Sequence, residues 1–269
     1  MRLLIRHRTA YRYDEPVQYS AQALRLTPRR EHRQRVLSWR MDAPGHRTER
    51  LDAHGNITHL LTLEHIHREI QIVVSGEVEV VSEDEMIAHE GPLSPLAYLA
   101  TTQLTAPDPA IVNLAHQYLR TSLPLRDRLY ALAEGVSARV RYRTGSSNVD
   151  DPASAALRRG EGVCQDQAHV FLACCRSAGI PGRYVSGYVY SGPDTQESAA
   201  SHAWIDAWIE EKQSWLGIDV THVGPIGAQH CRLAVGRDYL DAAPVRGVRH
   251  GGGHELLDVD VTVTKADDQ

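Results

Sequence analysis

Residues 160–190, GEGVCQDQAHVFLACCRSAGIPGRYVSGYVY, restrict the possible folds more than any other stretch of the chain. Gly160-Glu161-Gly162-Val163 reads as a permissive loop, because glycine reaches backbone angles that other residues avoid. From Cys164 the period becomes helical, with Ala168, Phe171, Leu172 and Cys175 on one apolar stripe. Ala178-Gly179 and Ile180-Pro181-Gly182 end that helix, since glycine caps it and proline cannot continue it. Arg183 to Tyr190, rich in valine and tyrosine, then predicts a strand. This order puts Cys164 at the mouth of a helix, where unpaired N–H groups and the positive helix end favour a thiolate. A structural cysteine is expected mid-stripe, as Cys175 is. Cys164 is therefore the candidate nucleophile.

A thiolate nucleophile needs a base, and the base needs a group to orient it. Ser201 to Ile209 alternates strictly: Ala203, Ile205, Ala207 and Ile209 share one face, and His202, Trp204, Asp206 and Trp208 share the other. Glu210 to Gln213 reads as a turn, and Trp215 to Val220 alternates as the return strand. A hairpin closed about that turn puts His202 and Asp219 on one face, opposed or one diagonal apart, about 5–8 Å between backbones. Asp219 is the candidate orienting acid, with Asp206 as its rival on the same face.

GVCQD-x-AH, SHAW-x-x-x-W and the later GIDVTH resemble the core of bacterial transglutaminase-like proteins, related in fold to papain-like cysteine peptidases. His7-Arg8-Thr9-x-Tyr11-Arg12-Tyr13 resembles that family's amino-terminal domain, and Val235-Gly236-Arg237-Asp238-Tyr239 extends the match toward the end. The resemblance implies an α+β fold in which a nucleophile helix packs on an antiparallel sheet, preceded by a small β-sandwich. It maps nucleophile, base and orienting acid onto Cys164, His202 and Asp219, and puts Arg237-Asp238-Tyr239 near the active-site rim. The implied chemistry is thiol acyl transfer through a thioester on a glutamine-type carboxamide. A cysteine peptidase or amidase would share every step up to the thioester. A non-catalytic interaction module would be marked by a lost triad residue, and all three are present. The chain departs from the family pattern at Asp219-Val220-Thr221-His222, where Asp-Pro-Thr-Asn is common, and at Gln167, where an aromatic or aliphatic residue is common.

Around this centre we assign residues 1–83 to the β-sandwich, 84–94 to a linker, 95–245 to the catalytic domain and 246–269 to a tail. The tail's final strand, Leu256 to Thr264, is expected to return to the first domain, and the two domains to pack separately. In the first domain, Asp14-Glu15-Pro16 is expected to be a turn and Asp52 to Asn56 a hairpin turn. Arg25, Arg29, Arg30, Arg33 and Arg35 read as a solvated, charge-guarded sheet edge. Ser82 to Glu85 and Gly91 to Pro95 read as the linker, followed by helices at Pro95–Thr101, Asp108–Leu119, Leu125–Val140 and Ala153–Arg159. Thr221 to Leu240 is expected to be loop and short helix, and Asp241 to Gly253 a glycine-rich passage. Tyr142 either borders the cleft or packs in the core, Gln165 either contacts substrate or does not, and Asp166 and His169, one helical turn apart, read as a solvated pair or as support for the site. Trp204 either shields the imidazole or covers the sheet beneath a helix, and Trp208 and Trp215 are expected to lie beneath a helix.

With 42% hydrophobic residues in 269, the chain can bury a sizeable core. A net charge of −5 gives no reason to expect nucleic acid. No apolar run suits a signal peptide or a membrane span, so a soluble, cytoplasmic protein is expected. Four cysteines, two of them adjacent, do not make a disulfide framework. Among 15 histidines, His65-x-His67 and His230-Cys231 invite a metal but match no zinc spacing, and we read them as surface residues. No cofactor motif is present, and the expected partner is a protein, peptide or small amide substrate.

Overall fold

The computed structural model describes residues 1–81, 85–192 and 201–266. The first five strands are β1 (Arg2–Leu24), β2 (Gln34–Asp42), β3 (His46–Leu51), β4 (Ile57–Leu63) and β5 (His67–Val80), in the sheet order β2-β5-β1-β4-β3. β1 pairs β5 along its first half and β4 from Ser20 to Leu24, so it belongs to both halves of the sheet. Ile70, Ile72 and Val74 of β5 pack against Leu24 of β1 and Leu61 and Leu63 of β4, which folds the sheet over on itself. The turn expected at Asp14-Glu15-Pro16 is instead an irregularity inside β1, where the register against β5 shifts between Arg12 and Val17. The hairpin expected at Asp52 to Asn56 is present, with Leu51 opposite Ile57.

Of the expected linker, residues 82–84 lie outside the described residues. Met86–Ala88 is a short strand, β6. The helices are α1 (Pro109–Leu119), α2 (Leu125–Arg139), α3 (Ala153–Arg159), α4 (Cys164–Ser177) and α5 (Tyr239–Ala242). The strands among them are β7 (Arg141–Tyr142), β8 (Glu161–Gly162), β9 (Gly182–Val189), β10 (Ser201–Ile209), β11 (Ser214–Asp219), β12 (Gly224–Pro225) and β13 (His230–Gly236). The second sheet runs β12-β11-β10-β9-β13, with β6 also on β11. Ala203, Ile205, Ala207 and Ile209 meet α4 on one face, as the alternation requires. Trp204, Trp208 and Trp215 lie on the opposite face with Ile87, Val185 and Ile226. Their only helical cover among the described residues is a five-residue 3-10 turn, Pro95–Leu99, whose Tyr98 meets Trp215 edge-on at 5.5 Å. β13 corrects the expectation of a loop: HCRLAVG is a strand in which every residue is buried, so neither of its faces meets solvent.

The chain then returns to the first sheet as β14 (Val245–Gly251) and β15 (Glu255–Lys265). β14 pairs Val17 to Leu24 of β1, and β15 pairs Leu3 to Tyr13. The glycine-rich passage thus contains a strand, and its turn holds the irregularity in β1: the Glu15 N–H donates to Gly252 O at 3.3 Å, and the Gly252 N–H to Pro16 O at 3.1 Å.

The two sheets do not pack separately. Leu3, Ile5, Val78 and Val80 share one core with Tyr188, Cys231 and Leu233. The outer edge of β13 is met by two amide side chains of the first sheet. Gln34 accepts from the Arg232 N–H and donates to Arg232 O, both at 2.8 Å, and Asn56 does the same for Val235 at 2.8 Å. Arg29, expected on a solvated edge, is instead buried and donates to Asn56.

Candidate active site

α3 ends at Gly160, whose φ of 75° suits glycine in a left-handed helix cap. Gly162 is needed for a different reason: a Cβ there would lie 2.6 Å from Asp166 Cβ. β7 and β8 run parallel, with Tyr142 opposite Gly162, and so fix the chain as it enters α4. Asp166 Oδ2 accepts the Val163 N–H at 2.7 Å and the Ser147 hydroxyl at 2.6 Å, closing the first turn from below. Cys164, the first residue of α4, is partly exposed, while Cys174, Cys175 and Cys231 are buried.

On the sheet, Ile205 stands opposite Ile218, which sets Asp219 one diagonal from His202. His202 Nε2 donates to Asp219 Oδ2 at 2.9 Å. Cys164 lies near enough to His202 to bear on the charge of its ring. With Nε2 committed to Asp219, Nδ1 is the nitrogen left for the sulfur. Burial alone would lower the His202 pKa, but Asp219 and Cys164 outweigh it and raise it to about 10, favouring the imidazolium.

Asp219 collects more donors than the sequence suggested. Besides His202, Oδ2 meets His222 Nδ1 at 2.7 Å and His230 Nε2 at 3.1 Å. Oδ1 accepts the Thr221 N–H at 3.0 Å and the His222 N–H at 3.2 Å. Burial would raise its pKa, but the three imidazoles hold it well below the usual carboxylate range. The tautomer of His230 follows from its other nitrogen: Nδ1 accepts the Gly227 N–H at 3.0 Å, so the ring hydrogen sits on Nε2 and points at Asp219. Burial lowers the His230 pKa, in keeping with a neutral donor. This overturns the reading of His230 as a surface residue; His67 is buried as well, bonded to Ser20 Oγ at 2.9 Å. The adjacent His230-Cys231 pair was a visible signal, but nothing local to it announces a buried strand.

The other candidates fall in different places. Tyr142 is exposed beside Gly162. Gln165 turns to the loop before α3 and donates to Val149 O at 2.9 Å. Asp166 and His169 are both buried and form no pair: Asp166 caps α4, while His169 Nε2 accepts the Tyr239 N–H at 3.1 Å. That bond puts Tyr239 against α4, where Tyr184 also packs on His169, with ring centres 5.2 Å apart. Trp204 is fully buried, its ring 6.1 Å from His202 and 5.1 Å from His230, and closes the floor beneath both. Asp206 does not reach His202; it binds Arg183 Nε at 2.6 Å and Arg232 Nη2 at 2.6 Å. Gln167, one departure from the family pattern, accepts from the Thr221 hydroxyl at 2.6 Å in the stretch that carries the other. A cavity of about 590 Å³ opens beside Asp219, His222 and His230, bounded also by Tyr190, Ser191 and Gln229.

A helix bearing a cysteine at its mouth, packed on an antiparallel sheet bearing histidine and aspartate, defines the papain-like α+β class. Residues 3–79 match the bacterial transglutaminase-like N-terminal region, and residues 112–220 the transglutaminase-like superfamily. The chain belongs to the bacterial transglutaminase-like family. It is 32% identical to an uncharacterized protein of Mycobacterium leprae, over 98% of this chain and 99% of the relative. It is 31% identical to a protein-glutamine gamma-glutamyltransferase of Pseudomonas aeruginosa, over 40% of this chain and 17% of that protein. A solved structure of a candidate cysteine protease from Cytophaga hutchinsonii shares the fold, with a TM-score of 0.77 at 20% identity, over 100% of this chain and 92% of that one.

Proposed function

We propose that the protein is a thiol acyltransferase or amide hydrolase acting on a carboxamide of the glutamine type. The observation that carries this reading is His202, held through Nε2 on Asp219 at 2.9 Å and lying beside Cys164 at the mouth of α4. In this reading the Cys164 thiolate attacks the carboxamide carbon. The C–N bond breaks, ammonia leaves with a proton from the His202 imidazolium, and a thioester forms. Water or an amine then attacks the thioester while His202 takes its proton, and the sulfur leaves. Asp219 holds the ring and balances its charge. The Cys164 N–H, at the start of α4, is the natural donor to the oxyanion. A protein, a peptide or a small amide each remains compatible as substrate.

Intact mass spectrometry with a glutamine-containing peptide tests the proposal. An acyl adduct on the wild type, absent in Cys164→Ala, is the expected result; no adduct with any amide offered would overturn it. Adding a primary amine separates the two fates of the thioester, because transamidation adds the amine's mass to the peptide and hydrolysis leaves the acid.

A further inference from the structure

His202, Asp219 and His222 offer ligand atoms that all lie within 4.8 Å of one another. His202 and Asp219 are buried, whereas the His222 side chain is 54% exposed at the rim. Small rotations would bring these atoms to the ~2.0–2.1 Å of zinc–nitrogen and zinc–carboxylate bonds. Two imidazoles and one carboxylate suit zinc and its first-row neighbours, and not the oxygen-seeking magnesium or calcium. Support comes from behind the ligands, because His230 donates to Asp219 and is itself fixed by the Gly227 N–H. The cavity beside Asp219 and His222 supplies a path for the ion and room for a water as fourth ligand.

We infer that His202, Asp219 and His222 form a binding site for a first-row divalent cation such as Zn²⁺, which switches the proposed catalytic centre off. The ion takes the place of the hydrogen that each ring shares with Asp219 Oδ2. It captures the nitrogen by which Asp219 orients His202, and so removes the orienting contact while leaving Cys164 unligated. The sequence hides this site because His202 and His222 come from different segments and match no regular ligand spacing. The inhibition rests on the function proposed above; the binding does not.

Cobalt serves as the probe, because its visible absorption reports ligand geometry and a near-ultraviolet charge-transfer band reports sulfur. Chelator-stripped protein titrated with Co²⁺ should develop visible bands saturating at one ion per chain, without the sulfur band, and Zn²⁺ should displace it. Cys164→Ser should give the same spectrum and affinity. His222→Asn keeps a donor to Asp219 but lacks the imidazole, and should weaken binding by about tenfold or more; circular dichroism checks that it folds. A sulfur band lost in Cys164→Ser would overturn the inference, as would unaltered affinity in His222→Asn or no saturable binding at all. In activity assays, Zn²⁺ should inhibit the wild type over the same concentration range, reversibly by chelator. His222→Asn should resist relative to its own metal-free rate. If no amide is turned over, the proposed function fails while the cobalt spectra still decide the site; saturable binding without inhibition would overturn the switch.

Discussion

At the scale of single residues, two aspartates on one face of a hairpin have opposite duties. Asp219 faces imidazoles and backbone N–H groups, whereas Asp206 neutralises Arg183 and Arg232. Asp219→Asn puts an amide among five donors, and its NH₂ favours the wrong tautomer of His202. Turnover should fall by about 10⁴-fold, as in the analogous serine protease substitution. Asp206→Asn leaves two buried guanidinium groups undercompensated and should cost about 3–5 kcal/mol of stability. Kinetics and urea denaturation on both variants check the assignment, and turnover surviving Asp219→Asn would sink it. Alkylation gives a second residue-level test. Burial pushes the Cys174 thiol up to about 12 and raises Cys175 and Cys231 as well, whereas Cys164 is partly exposed beside His202. Iodoacetamide at neutral pH should therefore label Cys164 alone in the folded protein; equal labelling of all four cysteines would contradict the site.

At the scale of elements, β13 is the least autonomous strand in the second sheet. β9 satisfies one of its edges, and side chains of the first sheet supply the other. Asn56 closes the β3–β4 hairpin and pairs both backbone groups of Val235. Asn56→Ala should thus cost about 2–4 kcal/mol, because it strands a buried N–H and a buried C=O together. Since β13 carries His230, native-state hydrogen exchange in that variant should show lost protection at β13 before β10 and β11. Uniform loss across the whole sheet would argue that the edge contacts are incidental.

At the scale of the molecule, the sheets are joined by a shared core and by His7, whose Nδ1 meets the Tyr188 hydroxyl at 2.8 Å. Burial lowers the His7 pKa to about 4, only partly offset by Asp260, and that of His169 to about 3, with Arg176 adding to the effect. Both folded values lie below the unfolded value, so the unfolded chain binds protons that the folded one refuses. The stability is complete above pH ~6.5 and is lost as pH falls toward the folded values, about 2 kcal/mol per histidine at pH 5. Urea midpoints at pH 7 and pH 5 should show this loss, and His7→Gln should lessen it. An unchanged pH slope in that variant would refute the role of His7.

The chain's periodicity determined much by itself: the loop–helix–turn–strand unit around Cys164, and the hairpin that sets His202 and Asp219 on one face, opposed or one diagonal apart. Both are local, since a short turn constrains register and one helix mouth dictates the surroundings of Cys164. Tertiary structure alone decided the rest. His230 reaches Asp219 from a fully buried strand remote in sequence from the hairpin turn, and Gln167 meets Thr221 only across the space between helix and loop. β1 runs through an apparent turn because a glycine hairpin from the far end of the chain bonds its kink. Contacts between residues remote in sequence leave no period in it, because their partners are selected by packing and not by spacing along the backbone.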